Sequence, residues 1–337
     1  MRPRRGIMRP EPQRLRRGWP PLRTKMQPIM NSAPTRASDT YVAYGLRILS
    51  EIPVSFQLAP PDGRIPDVTI RIGDTPRALD APQVHRGPWQ AAPGIFLFNM
   101  AGIACYLVRE GREIVVEPLG GSAADITTFL LGSVLAACLQ QRGIFTLHAS
   151  AIETEAGAVL FAGDSGAGKS TLAATFVAHG YRMLADDVLG IEVEGGLPVA
   201  VAAFPALRLW EAAVEKLKWQ ARPSARVRSG LDKYVVPVER FCASPLPVFA
   251  VFALRTNNRD AIEINALPSG TAFEILFKHT YRKRYVGAMG HERERFDSIT
   301  ALLRHSSVYR ISRPMWPFRP DAVADAIKRH LRDGLPG

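Results

Sequence analysis

Cysteine is scarce in this chain. Only Cys105, Cys138 and Cys242 occur in 337 residues, and they are odd in number and lack metal-ligand spacing. That argues against a disulfide framework and a thiolate metal site, and points to buried thiols in a reducing cytosol. Long apolar runs are missing as well. The most apolar stretch, residues 126–139, is too short to span a bilayer and is flanked by Asp125 and by Gln140-Gln141-Arg142. The Arg-rich start is followed by no apolar core, so no secretory signal is read there. The expectation is a cytoplasmic protein without a membrane partner. No internal repeat is visible.

Acidic residues are nearly absent from residues 1–37, where ten Arg or Lys stand against Glu11 alone. This segment therefore carries +9 of the chain's net charge of +12 and leaves the other 300 residues close to neutral. A body so nearly neutral argues against a nucleic-acid partner. Rich in Arg and Pro and without periodicity, residues 1–37 cannot bury enough apolar surface to offset their ordering, and are read as a disordered tail. The hydrophobic content of 47% supports a real core in the remainder of the chain.

Residues 38–120 read as a small, mostly β module. Val68, Ile70 and Ile72 alternate with Thr69 and Arg71, and 95–98, 105–108 and 113–116 are further short strands. His85 is read as a surface loop residue. Residues 121–337 read as an α/β domain. Residues 125–142 form a helix apolar on most faces, and such a helix is buried. A strand is expected at 144–152, carrying His148, and another at 181–185, ending in Asp186-Asp187. Residues 203–228 read as short helix and loop, 272–285 as a basic amphipathic helix, 293–305 as a helix, 309–311 as a strand and 320–331 as a terminal helix.

The chain is organised around Gly163-Asp164-Ser165-Gly166-Ala167-Gly168-Lys169-Ser170-Thr171, which fits the phosphate-loop pattern G-x-x-x-x-G-K-[ST]. An apolar run at 158–162 reads as a strand entering the loop, and a helical pattern at 170–179 leaves it. The glycines let the backbone N–H groups turn inward as an anion nest, and the helix aims its positive end at the same spot. Lys169 is placed to reach the β- and γ-phosphates of ATP, and Ser170 to ligate Mg²⁺. Asp186 and Asp187 follow Lys169 by one helix and one strand. A right-handed crossover would set their strand beside the loop strand, opening on the same crevice. One carboxylate could then hold Mg²⁺ and the other accept a hydroxyl proton.

Leu147-His148, the phosphate loop, and His179-Gly180-Tyr181-Arg182-Met183-Leu184-Ala185-Asp186-Asp187 together resemble the catalytic core of HPr kinase/phosphorylase. The resemblance covers about forty residues, in order and in register. It implies a P-loop kinase fold of the phosphoenolpyruvate carboxykinase type, ATP and Mg²⁺ as cofactors, and phosphorylation of a serine on a small protein. It makes Asp186 the general base, Asp187 a partner of Ser170 on Mg²⁺, and His148 a member of the catalytic pocket. Leu231-Asp232-Lys233 resembles a recurrent lysine motif of these kinases, and Lys233 is then a catalytic cation. Arg208, Arg226 and Arg228 lie in the same basic stretch. The family assembles as oligomers, so a homo-oligomer is implied.

The chain departs from that family at Phe204-Pro205-Ala206-Leu207-Arg208-Leu209-Trp210-Glu211, where a motif tied to phosphorolysis is missing. The layout from Tyr41 through Gly143 is more similar to the HPr-kinase-like enzymes of lasso-peptide biosynthesis, which phosphorylate a hydroxyl near the C-terminus of a precursor peptide. The leading expectation is a Ser/Thr kinase acting on a peptide or small protein. A small-metabolite kinase and a non-enzymatic ATP-binding regulator are the alternatives.

Overall fold

In a computed structural model the described residues are 39–54, 56–60, 62–216, 225–226, 232–258 and 260–333. The expected disordered tail, 1–37, and Arg228 lie outside them.

The first β-rich layer is a nine-stranded sheet. Its centre is a meander of Ile95–Met100, Ala104–Arg109 and Glu113–Pro118, each antiparallel to the next. Strand Val68–Ile72 joins Glu113–Pro118 in parallel. The strands Asp39–Ala43, Leu46–Ser50 and Trp89–Ala92 add to those expected from the sequence pattern. His85 belongs to a short strand, Val84–Arg86, and is exposed.

The second sheet is mixed and surrounds the phosphate-loop strand Gly157–Gly163. One flank is antiparallel: Ala149–Thr154 pairs with the loop strand, and Met183–Ala185 pairs with Ala149–Thr154. The other flank is parallel: Leu246–Asn257 lies beside the loop strand, and Ser307–Pro314 lies beside Leu246–Asn257. The strand carrying the Asp pair is thus one place removed from the loop strand rather than its neighbour. Two antiparallel pairings make it parallel to the loop strand, so its C-terminal end still opens on the loop's edge.

Side chains of the loop strand alternate between two apolar clusters, as a strand buried on both faces requires. Ala158, Leu160 and Ala162 join one cluster; Val159 and Phe161 join the other. The second cluster is closed by helix Lys169–Ala178, which packs on the terminal helix Pro320–Asp333. The first cluster continues through the long apolar helix into the nine-stranded sheet. That helix touches Ala104–Arg109 on one side and Phe145–Leu147 on the other.

The apolar helix runs over Ala123–Gln141, 19 residues, longer than the apolar stretch alone suggested. By length and composition it could cross a membrane, but 72% of its window is buried inside the fold. Its middle, Leu130–Val134, is wound as a π-helix. The hydroxyl of Ser122 accepts from the Asp125 N–H and caps its start. The expected helix over 272–285 is instead two helices, Ser269–Lys278 and Lys283–Ala288, separated by a turn.

Candidate functional site

The loop is shaped by three glycines that take positive φ: Gly163 at 151°, Gly166 at 80° and Gly168 at 99°. A Cβ on Gly163 would stand 3.0 Å from the carbonyl oxygen of Leu254, so the loop strand needs glycine at its end. Helix Lys169–Ala178 starts directly behind Gly168, and its N-terminus faces the loop. Lys169 is 6% exposed. Its Nζ donates to the carbonyls of Gly163 at 2.9 Å and Asp164 at 3.1 Å. Burial lowers its pKa, against the opposing pull of Asp186 and Asp187. Asp164 is exposed and pairs with Lys278 at 2.8 Å; the bond from Lys278 keeps its carboxyl below the usual range.

The two neighbouring aspartates have different surroundings. Asp186 is 3% exposed. Its Oδ1 accepts from the Ser150 hydroxyl at 2.6 Å and its Oδ2 from the Arg208 N–H at 2.8 Å. It does not line the cavity beside the loop. The expected proton acceptor is therefore turned into the fold, tying strand Ala149–Thr154 to strand Ala206–Trp210. Asp187 takes a positive φ of 70°, a conformation Asp tolerates better than most residues, and lines the cavity. Its Oδ2 pairs with Arg208 Nη1 at 2.5 Å and its Oδ1 with His148 Nε2 at 3.4 Å. Burial alone would push the Asp187 carboxyl up. The Arg208 guanidinium and the His148 hydrogen bond reverse that and hold it well below the ordinary range.

His148 owes its position to a break in the strand expected at 144–152. Phe145–Leu147 pairs with Leu189–Glu194, whereas Ala149–Thr154 pairs with the loop strand. His148 is the residue between them, and its N–H bonds the carbonyl of His279 at 2.8 Å. Its ring meets Tyr281 edge-on at 5.8 Å between centroids.

Loop, Asp187 and His148 open on one cavity of about 620 Å³. Lys169, Ser170 and Thr171 line it, as do Arg208, Lys233, Lys278 and Arg282. The stretch read as helix and loop at 203–228 contains the strand Ala206–Trp210, which pairs with Lys233–Pro237. That pairing places Trp210 opposite Lys233, whose ammonium lies 5.9 Å from the indole. Arg208 is the largely buried partner of Asp187; burial opposes its charge, and Asp187 more than restores it. Arg226 stands opposite Tyr234 in the short strand that pairs with Lys233–Pro237.

The basic stretch read as one helix at 272–285 brings Lys278 and Arg282 to the cavity wall, whereas Gly132 and Ser133 carry no such signal in the sequence. Arg282 adopts a positive φ of 49° in the turn between the two helices, with its guanidinium 5.6 Å from the Tyr281 ring. Gly132 and Ser133 reach the cavity from the π-helical turn, a distortion that recurs at functional sites. Outside the lining, Tyr44, in the turn between Asp39–Ala43 and Leu46–Ser50, is buried and donates to the carbonyl of Val188, the residue after Asp187, at 2.9 Å.

Among the described residues no cluster of three His, Cys, Asp or Glu is arranged for a metal. The donors that line the cavity suit Mg²⁺, which is commonly held by one or two carboxylates plus substrate phosphates and waters. Asp187 is kept ionised in the same cavity as the Ser170 hydroxyl.

No protein-family model matches the chain, and no curated protein sequence does. Among solved structures, the chain is similar to the Hpr(Ser) kinase/phosphatase from Coxiella burnetii. The similarity covers 56% of this chain and 97% of that one, at 12% identity and a TM-score of 0.31. A similarity at that level does not establish a shared fold, so function has to be read from the site itself.

Proposed function

We propose that this protein is an ATP- and Mg²⁺-dependent kinase that transfers the γ-phosphate to a Ser or Thr hydroxyl of a peptide or small protein. The observation that carries the proposal is one cavity shared by the Lys169–Ser170 phosphate loop and the Asp187–His148 pair. The loop N–H groups and Lys169 bind the phosphates. Ser170 and Asp187 would hold Mg²⁺, which would neutralise charge on the transferring phosphoryl group.

The proton acceptor in this reading is His148. Its Nε2–H donates to Asp187, which leaves Nδ1 to accept. The acceptor hydroxyl oxygen forms a bond to the γ-phosphorus, its proton passes to His148, and the bond to the β–γ bridging oxygen breaks to leave ADP. Asp187 orients the ring and offsets the charge it gains. Asp186 is buried away from the cavity lining with its oxygens on Ser150 and Arg208, and serves to position Arg208 rather than to take the proton. Lys233 stands over the cavity as a further cation for the charge developing on the phosphoryl group.

A short precursor peptide with a hydroxyl near its C-terminus is the first acceptor to try. Incubation with γ-labelled ATP should label the peptide. Lys169→Ala should abolish labelling, and His148→Gln should lower its rate by about 10²–10⁴-fold. Turnover of ATP with small hydroxyl compounds but no peptide would favour a metabolite kinase. Tight ATP binding without transfer to any acceptor would overturn the proposal in favour of a regulator.

A further inference from the structure

The phosphate loop has two flanks, and the kinase reading uses only one of them. The Asp186-Asp187 end lies two strands away on the antiparallel flank, across Ala149–Thr154. Two strands away on the parallel flank, across Leu246–Asn257, lies Ser307–Pro314. In register, Gly163 stands beside Leu254 and Leu254 beside Ile311. These three strands are parallel, so the turn that follows Pro314 emerges at the same edge as the phosphate loop. Ligands of open α/β sheets bind at that edge. At the usual strand spacing the two flanking features stand about 10 Å to either side of the loop strand.

The turn on the parallel flank is built against the loop. Arg313 is 4% exposed. Its Nη2 donates to the carbonyl of Ala167, inside the phosphate loop, at 2.7 Å, and its Nη1 to the carbonyl of Pro314 at 2.8 Å. The same guanidinium lies 3.8 Å from the centre of the Phe318 ring. Phe318 lines the cavity and crowds Gly168, where a Cβ would stand 3.0 Å from the ring. Between these two anchored residues the chain exposes Met315 at 62% and Trp316 at 85%. A large indole left in water on a turn pinned to a phosphate loop is a ready surface for a planar ring.

We propose that the turn at 313–318 is the nucleobase subsite, with the base of the nucleoside triphosphate stacked on Trp316 and Phe318 walling it off from the phosphates. This rests on the kinase reading and adds direction to it. With the γ-phosphate directed to Asp187 and His148, the nucleoside leaves the loop on the opposite flank, where the turn stands. The anchored Arg313 fixes the turn before the ligand arrives, so little ordering is needed on binding.

Calorimetric titration of the full-length protein with Mg-ATP and with Mg-tripolyphosphate separates base from phosphates. Trp316→Ala should weaken Mg-ATP about tenfold, the scale of one base–aromatic stack, and leave tripolyphosphate unchanged. Trp316→Phe should recover most of the loss. Trp316 is so exposed that the substitution leaves the core intact, and an unchanged melting temperature checks this. Equal loss for both ligands, or no loss for ATP, overturns the subsite while leaving the kinase reading standing. A wild-type protein that binds neither ligand overturns both.

Discussion

Replacing Arg208 by Met tests the electrostatic centre of the site. The guanidinium and the Asp187 carboxylate are 11% and 17% exposed and 2.5 Å apart. Methionine keeps most of the volume but leaves the largely desolvated carboxylate with His148 as its remaining close partner and Lys233 as a further cation acting on it. Removing one member of a buried pair costs about 3–5 kcal/mol, because the survivor's desolvation is no longer compensated. The pH dependence should change sign. In the wild type Asp187 has a depressed pKa, so it contributes stability above the ordinary carboxyl range, lost as pH falls through the lower folded value. In the variant burial wins, the pKa rises above the ordinary value, and lowering the pH relieves the penalty by protonation. Urea unfolding at pH 7.5 and pH 5 should therefore show a deficit of about 3 kcal/mol at the higher pH and about half that at the lower. Arg208→Met/Asp187→Asn should lose much less than the two single variants combined. A deficit below about 1 kcal/mol at pH 7.5, or one equal at both pH values, would refute the reasoning.

Two further outcomes are expected from the same geometry. Burial lowers the His279 pKa to about 4, so the unfolded chain binds more protons between there and the ordinary value near 6.5. Stability should fall as pH drops through that window, and His279→Gln should flatten the slope by up to about 3 kcal/mol in denaturant titrations. Gly163→Ala puts a Cβ 3.0 Å from the Leu254 carbonyl at a φ of 151°. It should cost about 1–3 kcal/mol in thermal unfolding and weaken Mg-ATP binding at the same time; normal binding would mean the loop does not depend on that backbone shape.

The phosphate loop was legible because its signals are contiguous. A strand, glycines at the turning points, a lysine and a helix succeed one another within twenty-two residues, from Gly157 to Ala178, and each reports on its neighbours. The terminal helices were legible for the same reason: Glu292–His305 and Pro320–Asp333 fall within a residue or two of where periodicity put them. Short strands such as Asp39–Ala43, paired on both sides within the sheet, carry no comparable local signal, since pairing across the sheet is what makes them strands. The strand Ala206–Trp210 was missed because its partner Lys233–Pro237 lies more than twenty residues away.

The sequence by itself therefore determined the anion nest, its lysine and the presence of two carboxylates at the end of a nearby strand. It could not say which carboxylate faces the cavity. That depended on Ser150, from a strand inserted beside the loop, and on Arg208, from the strand Ala206–Trp210, closing around Asp186 and holding Asp187 outward. It likewise could not place His148 at the junction between two strand pairings, or bring the 313–318 turn against Gly168. Local pattern is set by bonds along the chain; the side a charge faces is set by the solvation and partners that only packing supplies.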